Sequence, residues 1–217
     1  MTEFDNPGGA DIAGHARRRA RPRDAASLIL WRDGPHGPEM LMGRRNPSLR
    51  FMPDVMVFPG GRVDPTDHRA AAAREVRAPV AAALNRVGGR ARAIAIAAAR
   101  ELAEETGLLL GGPAPDLGAL DYLCRAVTPP DRPIRFNARF LIAPASTAQG
   151  QLTSSGELTD LGFYSVEAAT AARMASITAM ILREFLAWHA MSPAARARRP
   201  LIRIIGMDGR KPEQPPR

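Results

Sequence analysis

Apolar positions along this chain switch between two periods. From Ala25 to Trp31 they run without interruption, as in a strand covered on both faces. The turn residues Asp33-Gly34-Pro35 and Gly37-Pro38 follow, then a second strand over Glu39–Arg44, which together predict a hairpin. Val55–Phe58 reads as a short strand stopped by Pro59-Gly60-Gly61. Residues 68 to 90, rich in alanine and arginine and closed by Gly88-Gly89, predict one or two short helices. A stronger helix is expected over 92–106, ended by Gly107, a residue favoured just past a helix end. Strands are expected at 120–128 and 136–143, a polar loop over Ser146–Gly156, and a short strand near Leu161–Tyr164. Residues 166–190 read as helix with a break near 173, and Leu201–Ile205 as a last strand. Strands mixed with few helices, without strict alternation, predict an α+β fold with a mixed central sheet packed between helices.

Composition narrows the class. Apolar residues make up 45% of 217, enough for one domain with a real core, and alanine carries much of that share. The formal charge of +8 favours anionic partners, yet much of it lies in two tails, Arg17–Arg23 and Arg196–Arg217. Residues 1–22 are expected to form a disordered basic tail, 23–206 the domain, and 207–217 a second tail. The single cysteine, Cys124, rules out an internal disulfide and is expected in the core. No stretch approaches the ~18 apolar residues of a membrane span, and no apolar run follows the N-terminal arginines. The expectation is a cytoplasmic protein with no membrane partner.

The chemistry is concentrated in Arg100-Glu101-Leu102-Ala103-Glu104-Glu105-Thr106-Gly107-Leu108. At 3.6 residues per turn, Glu101, Glu104 and Glu105 share one helix face. Stacked carboxylates repel, and a cation removes that cost. Hard divalent ions such as Mg2+ or Mn2+ take oxygen ligands and can act on phosphate oxygens. Arg100 can hold a neighbouring carboxylate in place. On its own, such an acidic face is equally common as a solvated surface. Upstream, Phe58-Pro59-Gly60-Gly61 allows a tight turn and a bare backbone carbonyl near a ligand.

Taken together, these two segments resemble the Nudix hydrolase signature: a glycine, five residues, an acid, seven residues, then R-E-U-x-E-E-x-G-U with U aliphatic. Gly61 and Asp67 match the first part, and Arg100 through Leu108 match the terminal block. Two features depart. Asp67 stands where the family usually has glutamate, and residues 68–99 separate it from Arg100 instead of seven. The extra residues, an insertion of about 68–92, are expected to form a helical excursion beside the active-site cleft. The resemblance implies a Nudix-type α/β/α sandwich and a metal held by Glu101, Glu104, Glu105 and the Gly61 carbonyl. It also implies water attack on a pyrophosphate, with Arg100 in support. Glu157 resembles the later-loop acid that some members use as base.

Residues 41–61 are also similar to the motif of the coenzyme A diphosphatase branch. Arg45, Arg50 and the F-P-G-G block keep its spacing, while Gly43, Asn46 and Asp54 depart from it. The enlarged box and the Asp64/Asp67 pair resemble that branch too. It implies phosphate binding by Arg45 and Arg50 beside Gly60 and Gly61, with coenzyme A or an acyl derivative as substrate. Arg125, Arg135 and Arg139 are further anion-site candidates. Other readings stay open: ADP-ribose, NADH or another nucleoside diphosphate derivative as substrate, or a non-catalytic Nudix binding module. Nucleic acid is not the expected partner, because aromatic stacking residues are scarce. A homodimer is compatible with the sequence.

Overall fold

A computed structural model describes residues 20–49, 52–86, 90–206 and 209–212. The hairpin forms as expected from β1 (Arg23–Gly34) and β2 (Gly37–Arg45), followed by the short β3 (Met56–Val57) and β4 (Gly60–Arg62). After a 3-10 turn at Pro65–His68 come α1 (Ala78–Arg86), α2 (Ala91–Thr106) and β5 (Leu108–Leu110). Next are β6 (Asp121–Val127), β7 (Phe136–Pro144), β8 (Ala148–Gly150) and β9 (Leu158–Ser165). The chain continues through α3 (Val166–Ala171), α4 (Ser176–His189), α5 (Pro193–Arg198), β10 (Ile202–Ile205) and β11 (Arg210–Pro212).

The main sheet is mixed and runs β11-β10-β6-β7-β1-β2-β3, with β4 also on β1 and β9 also on β2. Strand β1 organises it. Its length lets β4 pair with Ala25–Ser27 and β2 with Trp31–Gly34 on one edge, while β7 runs parallel along the other. The period of two then sorts side chains into two cores. Ala26, Leu28, Leu30, Leu41, Leu141 and Ala143 face α1 and α2. Ile29, Met40, Met42 and Ile142 face α4. Both faces are covered, which is why β1 reads as an unbroken apolar run.

Some expectations hold and others change. Segment 68–90 forms one helix, α1, and the insertion ends at Arg90 because Ala91 and Arg92 already belong to α2. The excursion is not a separate unit. Val80 and Leu84 are buried in the core with Ala91 and Ile94, Arg92 pairs with Glu75, and Arg77 bonds the carbonyls of Gly118 and Leu120. It therefore covers the start of α2, whereas Glu101–Glu105 lie at the helix's other end, about 15–20 Å along its axis. Helix α1 thus lies at the start of α2, while the ends of the segment, His68, Arg69 and Arg90, line a cleft that flanks Asp64. The polar loop over Ser146–Gly156 contains β8, which pairs with β5. The tail expected from residue 207 holds β11, which pairs with β10. Residues 1–19, Arg50, Gly88, Gly89 and 213–217 lie outside the described residues. Cys124 is fully buried, and burial pushes its thiol far up, as a core cysteine requires. Among the described residues no helix is long and apolar enough to cross a membrane.

Candidate active site

Helix α2 is alanine-rich and buried on most of its surface, so small side chains let it lie close on the sheet. It stops at Gly107, whose left-handed φ of 73° suits glycine and whose N–H reaches the Ala103 carbonyl at 2.9 Å. Its last two turns carry the carboxylates. Glu105 is buried at 4% exposure and its Oε2 accepts the Gly60 N–H at 2.8 Å. Glu101 lies against Gly61, where a Cβ would collide with its carboxylate. Glycine at 61 is thus what allows strand β4 and helix α2 to meet here.

Arg100 is the hub. Its guanidinium donates from Nη1 to Glu101 Oε1 and Glu104 Oε2, each at 2.9 Å, and from Nη2 to the Arg62 carbonyl at 2.9 Å. It also grips Asp67 with two bonds of 2.9 and 3.1 Å. Asp67, 1% exposed, accepts the Asp64 N–H at 2.7 Å. The departure at Asp67 therefore has a role: it anchors the arginine that aligns two of the three glutamates. Asp67 and Arg100 close the base of the insertion, so the two halves of the signature stay joined across it.

The later loop reaches the same place from the other side. Thr153 N–H bonds the Thr106 carbonyl at 2.8 Å, just past β8. At the loop's far end Asn46 donates from Nδ2 to the Gly156 carbonyl at 2.8 Å and from its N–H to the Glu157 carbonyl at 2.9 Å. Asn46, which departs from the branch motif, thus positions Glu157. The charges of Glu157 and Arg45 both act on Glu105: the first raises its pKa and the second lowers it. Burial dominates and, with the repulsion from Glu101 and Glu157, pushes the Glu105 carboxyl up to about 8 against the opposing Gly60 N–H and Arg45. Glu101 is also raised by burial, less the effect of Arg100.

Among the described residues, no three His, Cys, Asp or Glu side chains converge into a metal cage. Arg100 draws Glu101 and Glu104 to itself, and the Gly60 N–H holds Glu105. The donor set still suits a cation: buried Glu105 and half-buried Glu101, both with raised pKa, lie next to a third glutamate and under the field of a fourth.

Around the entrance, Asp54 does not oppose an anion alone. It pairs with Arg44 at 3.2 Å and Arg173 at 3.3 Å, and Arg44 also pairs with Asp160 at 2.9 Å. Gly43 is explained by packing, since a Cβ there would press on Leu158 and Leu161 at 2.9 Å. Arg135 bonds the Thr128 and Ala20 carbonyls, so it ties backbone segments together. A cleft of about 440 Å³ flanks Asp64 on the insertion side, lined by Val63, Pro65, His68, Arg69 and Arg90. Asp67 and Asn46 were not singled out as site groups from sequence, and Gly60, expected beside the substrate phosphates, instead donates its N–H to Glu105. Asp67 could have been, as an acid at the signature position. The other two depend on contacts distant in sequence.

No family model matches the sequence, and no curated protein matches it. Solved structures do. A Nudix hydrolase from Alicyclobacillus acidocaldarius is 28% identical, with a TM-score of 0.60 over 75% of this chain and 90% of that one. The Nudix domain of Shewanella oneidensis NrtR, solved with ADP ribose, is 13% identical, with a TM-score of 0.52 over 77% and 88%. The E. coli ORF135 protein is 20% identical, with a TM-score of 0.51 over 80% and 95%. A mixed sheet between helices, with the carboxylate helix laid against the glycine turn, makes this chain a protein of the Nudix fold.

Proposed function

We propose that this chain is a metal-dependent pyrophosphohydrolase acting on a nucleoside diphosphate derivative. The observation that carries the reading is the Arg100 hub, which gathers Glu101 and Glu104 while buried Glu105 sits beside them under the field of Glu157. Glu101, Glu104 and Glu105, with the Gly61 carbonyl, are the residues that would hold Mg2+ or Mn2+. When bound, such an ion supplies positive charge to the phosphate oxygens. Arg100 keeps the helix carboxylates aligned, and Arg45 offers a cation to a phosphate at the mouth. Glu157 takes the proton as the water oxygen bonds to phosphorus. The bridging P–O bond then breaks, and two phosphate products leave. Burial favours the protonated form of Glu105, so a bound cation is what would keep it a carboxylate, while exposed Glu157 is open to solvent and can pass the proton on.

Within that class the substrate proposed is coenzyme A or an acyl-coenzyme A, cleaved to 3',5'-ADP and a 4'-phosphopantetheine. Arg45 and Arg50 at the branch spacing support it, and so does Asp54, whose charge is met by two arginines. The test is a panel of coenzyme A, acetyl-coenzyme A, dephospho-coenzyme A, ADP-ribose and NADH, with Mg2+ and then Mn2+, products identified by mass. Glu104→Gln should lower the rate on the order of 10²-fold or more. Full activity of both Glu104→Gln and Glu105→Gln at limiting metal would falsify the assignment of the metal site to these glutamates, and no hydrolysis of any compound in the panel with either metal would overturn the hydrolase reading. ADP-ribose or NADH far outrunning coenzyme A would overturn only the substrate.

A further inference from the structure

A row of cations crosses the sheet away from the carboxylates. Strand register aligns Gly61 with Ala26, Ala26 with Arg139, Arg139 with Arg125, Arg125 with Arg203, and Arg203 with Lys211. Residues in register point to the same side of a sheet. The side here is that of α2, because Cys124, Ala126, Ile202 and Ile204, the neighbours of Arg125 and Arg203, all pack toward α4. Strands stand about 4.8 Å apart, so Arg139, Arg125, Arg203 and Lys211 follow Gly61 at about 10, 14, 19 and 24 Å along the row.

Like charges placed directly opposite on neighbouring strands destabilise a sheet. This sheet holds three such pairs in succession. Among the described residues, Asp24 enters the group: it pairs with buried Arg139 and accepts from Asn137 Nδ2 at 3.1 Å. Arg125 donates to Asn137 Oδ1 at 3.4 Å. Farther out, Arg203 Nε is buried with no hydrogen-bond partner among the described residues. Arg125 and Arg203 are half-buried and Lys211 is exposed, so the outer part of the row is open to a ligand. An orphaned guanidinium donor set in register between two further cations calls for an anion.

We propose that this row is an extended phosphate subsite. The substrate carries at least one further phosphate, remote from the scissile pyrophosphate, which lies over Arg125 and Arg203 with Lys211 beyond. The proposal rests on the hydrolase reading for its substrate, but its test does not need turnover. Inorganic tripolyphosphate is titrated into the full chain by calorimetry, at low salt with a chelator present. Arg203→Glu should weaken its binding by about tenfold or more, the effect of losing one charged hydrogen bond. Lys211→Glu, at an exposed strand position, should weaken it less and serves if Arg203→Glu fails to fold. Arg86→Glu makes the same charge change on exposed α1 and should leave binding unchanged. Equal binding by the wild type and both row variants overturns the proposal, as does an equal loss in Arg86→Glu. A short single-stranded RNA that binds more tightly than tripolyphosphate, with the same dependence on Arg203, overturns the small-substrate assignment. An inactive protein that still binds tripolyphosphate through Arg203 would sink the hydrolase reading alone.

Discussion

The two faces of the central sheet are built from different materials. On the α4 face the core is large and aromatic: the Trp31 ring lies 6.1 Å from both Phe185 and Trp188, in a chain with few aromatic residues. On the α2 face the helix is rich in alanine, and large charged groups enter, with Arg100 at the centre of a carboxylate cluster and Arg139 fully buried. The difference teaches a division of labour. Aromatic burial on one side supplies stabilisation of the kind that needs no precise polar partners. The other side can then carry buried charge, whose desolvation cost is offset only in part by pairing.

The strongest way to break this comparison is to hollow out the aromatic face. Phe185→Ala should lower unfolding stability by about 3–5 kcal/mol, measured by denaturant melts, while turnover per folded molecule stays within a few-fold. A loss of activity without a loss of stability would mean that the two faces do not divide the work in this way.

The charged face should reveal its cost through pH. Glu105 has a folded pKa of about 8 against an ordinary value near 4.5. Below the lower value it is protonated whether folded or not, and its contribution to stability is complete. As pH rises toward 8 the unfolded chain ionises more readily, and that contribution is lost. At about 1.4 kcal/mol per unit the loss is capped at about 5 kcal/mol, and water penetration reduces it. Protein kept in chelator should therefore lose stability between about pH 4.5 and 8, and Glu105→Gln should flatten that slope. Parallel slopes in the two proteins would show that Glu105 ionises without cost.

A smaller effect sharpens the comparison. Asp67→Asn keeps the shape but loosens Arg100, and apparent metal affinity should fall about tenfold, as for other groups that orient ligands. Asp67→Glu, the residue usual in the resembled signature, should recover most of it. Metal titration followed by thermal shift reads both variants, and equal affinities in all three proteins would remove Asp67 from the site.

Much of this was legible in sequence. The hairpin, the helix ending at Gly107 and the strands at β6 and β7 announced themselves by period and punctuation. The block from Arg100 to Leu108 marked the site, because helix spacing alone places its carboxylates together. What stayed hidden depends on distant pairings. Nothing local reveals that Asp67 meets Arg100, that Asn46 holds the loop of Glu157, or that Arg203 falls in line with Arg125. The short β5, β8 and β11 were missed for the same reason: three residues carry no period, and their partners define them.

The ion pair between Asp67 and Arg100 has a topological consequence. It pins both ends of the intervening segment, which becomes a closed loop whose length is nearly independent of the site it interrupts. Closure entropy grows only with the logarithm of loop length, about 0.6 kcal/mol for each doubling. A segment several times longer than the usual spacer therefore costs little, so long as the pair holds. The burden on the inserted residues is a local one: Val80 and Leu84 must cover the apolar start of α2 around Ala91 and Ile94. Within that requirement, the box is a place where this fold can accept new sequence without moving its carboxylates.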